Sequence, residues 1–459
     1  MYVLIRINYY RIIKNMNKTV AQGDISGTIT IPSSKSQTIR ALLIAAAAEG
    51  VSRLHNPLIS QDTLSCLAFC RSIGAEIVKT DAYWDVTGIA GTEKVRDLRL
   101  KYRKENPLIL DVGNSGTTLY LGAGFAASLG IPVILTGDAQ IRNRPVENLL
   151  NSLQELGAEV SFILPESPQQ TAISKGAPGC PPVYIHGPLK GGTTSIACPT
   201  SQYLSCLLLA APQATGASTI EVTLLNEAPY AEMTMEWLKE QDIPFQHKSM
   251  SLFRFPGNSS YRSFEKLIPG DYSSASFFFC AAAITGSTLT IAGLVENDSQ
   301  GDKAVLGWLG EMGCKITWDG DAVTVSGPAP GKLKGIDIDL NSAPDALPIL
   351  AVTGCFAKGT TRLLNVPQAR IKETDRIDVM TEELSRLGAD ISELEDGMVI
   401  QGVEKLSGGT VEGHGDHRVI MSLAVAGLCT EEPLEITGAE AASVTFPTFF
   451  DLLEQILQN

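Results

Sequence analysis

The sequence predicts a mixed α/β chain of two domains, each made of three repeated units with helices buried inside and sheets outside. Three observations predict it. A strongly apolar helix pattern with a small polar opening recurs six times. A second, amphipathic helix pattern recurs between those copies and closes on a shared phrase. The third is length, because 459 residues exceed what one hydrophobic core serves, and two domains of about 200 residues each are expected.

The apolar patterns open at Ser34, Asn114, Thr200, Tyr272, Ala343 and Gly415, roughly 70 to 86 residues apart. Serine, threonine, asparagine and aspartate at these openings suit the free amides of a helix start. Glycine closes five of the six copies. Their bodies, such as Ala41 to Ala48, are apolar nearly all round, so they are expected to be buried on every side. The amphipathic patterns run through residues 148–160, 304–316 and 381–391, with a similar end at 71–77. Leu149, Leu153 and Leu156 mark the apolar face of one of them. Short β patterns follow, as at Val323 to Val325 and Met398 to Ile400. Repeats of this size need their neighbours to complete a core. Six units divide as three plus three, and the polar run 257–263 places a boundary close to residue 265. A doubly wound sheet is disfavoured, because the glycine fingerprint GxGxxG is absent and the strand-like pieces are too many.

Composition narrows the function classes. A net charge of −14 argues against a general nucleic-acid surface. No run of about 18 apolar residues exists to span a membrane. The nine cysteines are scattered, and Cys66 and Cys70 without a second pair make a poor zinc signal, so a reduced, cytoplasmic protein is expected. His414 and His417 read as a loop feature rather than a metal site. Residues 1–18 are expected to be a disordered or mis-started extension, with Met16 a plausible true start. Arg6, Arg11 and Lys14 interrupt its apolar residues, so it is neither a secretory signal nor a transmembrane segment.

The chemically distinctive residues gather at helix openings. Lys35, Ser36 and Arg40 belong to the first apolar pattern; Asn114, Ser115 and Gly116 open the second; Thr200, Ser201 and Gln202 open the third. Asp271 precedes the fourth, Asp345 lies in the fifth, and Asp416, His417 and Arg418 open the sixth. Arg144 and Tyr230 add to them from surface segments. Residues 371–376, Ile-Lys-Glu-Thr-Asp-Arg, open a helical pattern in which Lys372 and Arg376, four apart, share a face beside Glu373. Taken alone that is a solvated charged turn. As one of several charged helix ends it becomes part of an anion trap, expected in a cleft between the domains, where helix N-termini favour phosphates and carboxylates. Lys35, Arg40, Arg144, Lys372, Arg376 and Arg418 supply six cations to such a trap in an acidic chain. Asp345 and Glu373, from different segments, form a candidate acid/base pair.

The runs PSSKSxxxR (Pro32 to Arg40), GNSGTT (Gly113 to Thr118), Arg144-Pro145, TSQ (Thr200 to Gln202), APYxEMT (Ala228 to Thr234), GDYSSAS (Gly270 to Ser276), Pro344-Asp345, IKETDR and DHR occur in this order. They resemble the 5-enolpyruvylshikimate-3-phosphate synthase family over nearly all of residues 19–459. The resemblance implies transfer of the enolpyruvyl group of phosphoenolpyruvate to the 5-hydroxyl of shikimate 3-phosphate, with no metal or organic cofactor, by a monomer. It also implies a pair of inside-out α/β barrels, one of residues 34–267 and one of 19–33 with 268–459. Carried over by motif, Lys35, Ser36, Arg40, Thr200, Ser201, Gln202, Tyr230, Asp345, Gln368 and Lys372 would hold shikimate 3-phosphate. Lys35, Asn114, Gly116, Arg144, Gln202, Arg376 and Arg418 would hold phosphoenolpyruvate. Glu373 would protonate the methylene carbon and Asp345 would take the hydroxyl proton, with Lys35 between the substrates.

Four positions depart from the family pattern. Tyr120 stands where an arginine is common, Glu227 where a serine is usual, Gln368 where an asparagine is usual and Val444 where a lysine is usual. Glu227 would repel a phosphorylated substrate unless turned away. Two rival readings are the sister transferase acting on UDP-N-acetylglucosamine and a non-catalytic anion-binding paralogue. The first is disfavoured because Thr136 to Arg144 lacks the reactive cysteine of that family, and Lys35 is followed by Ser36 instead of asparagine.

Overall fold

Every one of the six apolar patterns forms a buried helix in the computed structural model, which describes residues 16–162 and 176–458. The first three helices are Lys35–Ala47, Gly116–Leu129 and Ser201–Ala210. The last three are Tyr272–Thr285, Leu347–Cys355 and His417–Ala426. At five of the starts a side chain, that of Ser34, Ser115, Thr200, Asp271 or Asp416, accepts a backbone amide of the first turn. The second helix is therefore capped by Ser115 and not by Asn114. The fifth departs further: Pro344 and Pro348 favour a 3-10 turn, Pro344–Ala346, ahead of the helix, and no side chain caps it. Asp345 is the middle residue of that turn.

Five of the six repeats arrange four strands alike. In the second, Leu108–Asp111 runs parallel to Val133–Thr136, with the buried helix as the connection. Val183–His186 then pairs antiparallel with Val133–Thr136, and Glu159–Phe162 forms the far edge. The surface helix Glu147–Glu155 precedes that edge, as the amphipathic pattern predicts. The third and fifth repeats follow the same order. Strands alternate burial, as Leu108 and Leu110 do against the exposed Ile109, because one face covers the helices and the other meets water.

Two repeats take their first strand from a distant part of the chain. Ser26–Thr30 precedes the first buried helix, yet it pairs with Thr288–Ala292 of the fourth repeat. Glu265–Leu267 precedes the fourth helix, yet it pairs with Val51–His55 of the first. The described residues accordingly divide into a unit of Ser33–Pro269 and a unit of those up to Pro32 with those from Gly270 onward. Each unit has its own hydrophobic core. The sixth repeat ends in a three-stranded sheet, whose edge is the antiparallel strand Lys18–Val20. Lys18 thus joins the fold, whereas the rest of the extension through residue 15 lies outside the described residues. No helix among the described residues is long and apolar enough to cross a membrane.

Candidate active site

The unit of Ser33–Pro269 collects its site residues around the starts of its three buried helices. Arg40, one turn into the first, is 1% exposed. Its Nε donates to Thr234 Oγ1 at 2.9 Å, its NH2 to Tyr230 O at 2.9 Å and Ser205 Oγ at 3.2 Å, and its NH1 to Ser36 O at 3.1 Å. All four acceptors are uncharged, and Arg40 makes no ion pair with a carboxylate among the described residues. Burial lowers its pKa to about 10, so it remains a cation at neutral pH. Lys35 Nζ instead lies 3.3 Å from the buried Asp62 Oδ2.

At the third helix the hydroxyl of Thr200 caps Gln202 N and donates to Glu227 Oε2 at 3.0 Å. Ser201 donates to the same oxygen from its amide at 3.1 Å and its hydroxyl at 2.9 Å. Glu227 is thus turned toward the helix start, not away from it. At the second helix Asn114 Nδ2 donates to Asp138 Oδ2 at 2.5 Å and Gln140 Oε1 at 2.6 Å. A Cβ added at Gly116 would meet nothing within 4 Å, so packing does not demand glycine there. Tyr120 lies buried, edge-on to Tyr203 at 5.3 Å, and Tyr203 OH donates to Pro145 O at 2.7 Å, beside the buried Arg144.

The other unit centres on a second buried guanidinium, Arg376, 1% exposed. Its Nε meets Asp416 Oδ2 at 2.8 Å, its NH1 meets Asp345 Oδ1 at 2.8 Å, and its NH2 meets Glu373 Oε2 at 2.5 Å and Asp416 Oδ1 at 3.2 Å. Burial opposes its charge, but Asp416, Glu373 and Asp345 outweigh it and raise its pKa. Burial likewise opposes the charge of Asp416, yet Arg376 holds its pKa below the usual carboxylate range. Arg418 NH2 reaches Asp345 Oδ2 at 3.0 Å, and Lys372 Nζ lies 3.7 Å from Asp345 Oδ1. Three cations therefore converge on Asp345. His417, between Asp416 and Arg418, is pushed down to about 3 by burial and stays neutral.

The helical reading of residues 371–376 is corrected here. A 3-10 turn, Pro367–Ile371, precedes an irregular stretch, and the helix Arg376–Arg386 begins only at Arg376. Asp375 is its cap and accepts Ile377 N and Asp378 N, each at 3.1 Å, which fixes the start there. Lys372 and Arg376 therefore do not share a helix face; they meet through Asp345. Gln368, within that 3-10 turn, is buried and donates to Asn341 O at 3.2 Å. Val444 ends another 3-10 turn, Ala439–Val444. Asp416 and Asp62 are the principal charged partners that the candidate set lacks. Asp416 had a signal, its place at a helix opening; Asp62 had none, because only tertiary packing sets it beside Lys35.

Residues 20–453 match the family described as EPSP synthase (3-phosphoshikimate 1-carboxyvinyltransferase). The 3-phosphoshikimate 1-carboxyvinyltransferase of Acetivibrio thermocellus is 46% identical over 436 residues, covering 95% of this chain and 97% of the relative. That of Ruminiclostridium cellulolyticum is 45% identical over 432 residues, covering 94% and 96%. Among solved structures, EPSP synthase from Acinetobacter baumannii superposes with a TM-score of 0.75 at 26% identity, covering 96% of this chain and 98% of that one.

Proposed function

The chain belongs to the EPSP synthase family, and from that premise we propose how its own residues divide the reaction. It is a transferase of the shikimate pathway, moving the enolpyruvyl group of phosphoenolpyruvate to shikimate 3-phosphate with release of phosphate. The relatives named above carry that activity by name, and neither the UDP-N-acetylglucosamine reading nor the paralogue reading has their support.

One observation carries the assignment of roles: Asp345 and Glu373 both lie within hydrogen-bond reach of the Arg376 guanidinium. Two proton movers thus share one cation, with Lys372 and Arg418 beside them. Asp345 takes the proton of the 5-hydroxyl as its oxygen bonds to C2 of phosphoenolpyruvate. Glu373 delivers a proton to C3, which gives a tetrahedral intermediate. A C3 proton then returns to Glu373 while phosphate leaves C2 with the proton held by Asp345, which restores the carbon–carbon double bond. Anionic groups of the substrates take over cations that the carboxylates now satisfy, and Asp345 is released to act as base. Arg376, Arg418, Arg144, Asn114, Gly116 and Gln202 bind phosphoenolpyruvate. Ser36, Arg40, Thr200, Ser201, Gln202, Tyr230, Gln368 and Lys372 bind shikimate 3-phosphate, with Lys35 contacting both.

The unbridged thiols of all nine cysteines support a reducing, cytoplasmic setting. A phosphate-release assay tests the whole reading. Release with phosphoenolpyruvate and shikimate 3-phosphate, and none with UDP-N-acetylglucosamine, is the expected outcome. Tight binding of both substrates without release would instead make the protein a non-catalytic paralogue.

A further inference from the structure

We propose that Glu227 determines substrate specificity by occupying, with its own carboxylate, the anion subsite at the start of the third buried helix. This rests on the function proposed above, and it adds that the phosphate of shikimate 3-phosphate has a rival inside the protein.

The subsite is built for an anion. Ser201 and Thr200 offer one amide and two hydroxyl donors at the first residues of the helix Ser201–Ala210. A helix start also carries partial positive charge, which suits a phosphate oxygen. All three donors end on a single oxygen, Glu227 Oε2, between 2.9 and 3.1 Å away. Glu227 is 2% exposed, Ser201 0% and Thr200 7%, so this is a buried carboxylate on buried donors.

The placement is fixed by the backbone. Glu227 has φ 58°, a left-handed conformation that a residue with a side chain seldom adopts. Asn226 N donates to Cys198 O at 3.1 Å and Tyr230 N to Glu227 O at 3.1 Å, holding the residue from both sides. The strand that leads into the third helix and the turn that leads into Ala228–Glu240 are thereby locked together, and the carboxylate is aimed at Ser201. A phosphate arriving at the same donors must displace this carboxylate or lie against a like charge. Either course weakens a phosphorylated ligand far more than an uncharged one. Glu227 therefore lowers discrimination in favour of the phosphate group and leaves recognition of the hydroxylated ring to other residues.

The test compares dissociation constants of shikimate 3-phosphate and of shikimate, which lacks the phosphate, for the full chain and for Glu227→Ser and Glu227→Gln. Titration calorimetry supplies the constants, with a melting curve for each variant. Glu227→Ser is expected to tighten shikimate 3-phosphate by about tenfold or more and to move shikimate by less than about twofold. Glu227→Gln keeps the size and an acceptor oxygen but drops the charge, so its gain is smaller and of the same sign. A folded variant, of either kind, that binds shikimate 3-phosphate no better relative to shikimate than the parent does would overturn the proposal. Glu227→Gln decides the matter if the serine variant fails to fold. Phosphate release by the parent protein keeps the two ideas apart. Its absence defeats the function, whereas its presence with an unchanged affinity ratio defeats only the role of Glu227.

Discussion

Arg40 and Arg376 are both 1% exposed, and each lies near the start of a helix, yet the two units of this chain treat them in opposite ways. Arg376 is enclosed by the carboxylates of Asp345, Glu373 and Asp416. Arg40 has only hydroxyl and carbonyl oxygens around it. A buried charge is costly unless compensated, and the cost shows in the lowered pKa of Arg40 and the raised pKa of Arg376. The difference teaches how one repeat serves two tasks. An uncompensated cation is an unfilled demand for an anion, which suits the holding of substrate. A compensated one gathers carboxylates, which suits the movement of protons.

The most severe break of this contrast removes the proton movers. Glu373→Gln and Asp345→Asn are each expected to lower turnover by about 10²- to 10⁴-fold, while calorimetry shows substrate binding largely kept. Near-normal turnover in either variant would take that residue out of the chemistry. Next in size is Arg376→Met. The buried Asp416 and the half-buried Asp345 and Glu373 lose their shared partner, and the unfolding free energy should fall by about 3–5 kcal/mol. A stable variant would mean that Lys372 and Arg418 alone neutralise the cluster.

Arg40→Met sharpens the comparison from the other side. Its partners stay satisfied, since Thr234 Oγ1 still bonds Ser205 Oγ at 3.0 Å and Tyr230 O at 3.1 Å. Stability should then change little, while affinity for shikimate 3-phosphate drops by about 1.5–3 kcal/mol, the worth of one charge-assisted hydrogen bond. If the variant instead loses stability as Arg376→Met does, the two arginines do not differ in kind.

Much of this was legible before the structure, and the limits follow from physics. The buried helices announce themselves because an all-round apolar body and a polar cap are local properties of a dozen or so residues. The exchanged strands do not. Ser26–Thr30 finds its partner more than 250 residues away, at Thr288–Ala292, and no local pattern encodes such a pairing. At residues 371–376 the charge spacing suggested a helix, but Asp375 as a cap defeats it by taking the amides of Ile377 and Asp378. That signal was present in the sequence and outweighed by the pattern of charges. Asp345 and Glu373 are legible as residues, but the Arg376 guanidinium that joins them to each other and to Asp416 is not, since the i,i+4 spacing pairs Arg376 with Lys372.

The smallest expected effect concerns pH, and it falls on one side of the comparison only. The oxygens around Arg40 do not titrate near neutrality, so acid leaves that pocket alone. Around Arg376 the charged groups Asp416, Glu373, Arg418 and Arg376 itself all act on His417. Burial is the largest influence on that imidazole and depresses its pKa to about 3, against the pull of Asp416 and Glu373. In the unfolded chain the same ring titrates near 6.5. Its folded pKa is the lower one, so its contribution to stability is full above about 6.5 and is lost as pH falls toward 3. Between pH 7 and pH 5 that loss is about 2 kcal/mol, from one proton bound by the unfolded chain and refused by the folded one. His417→Gln removes the titration. Urea unfolding of parent and variant at both pH values should show their stability difference shift by that amount in the variant's favour at pH 5. An identical difference at the two values would mean that the folded protein protonates His417 as readily as the unfolded chain does, and that the Arg376 cluster is open to water.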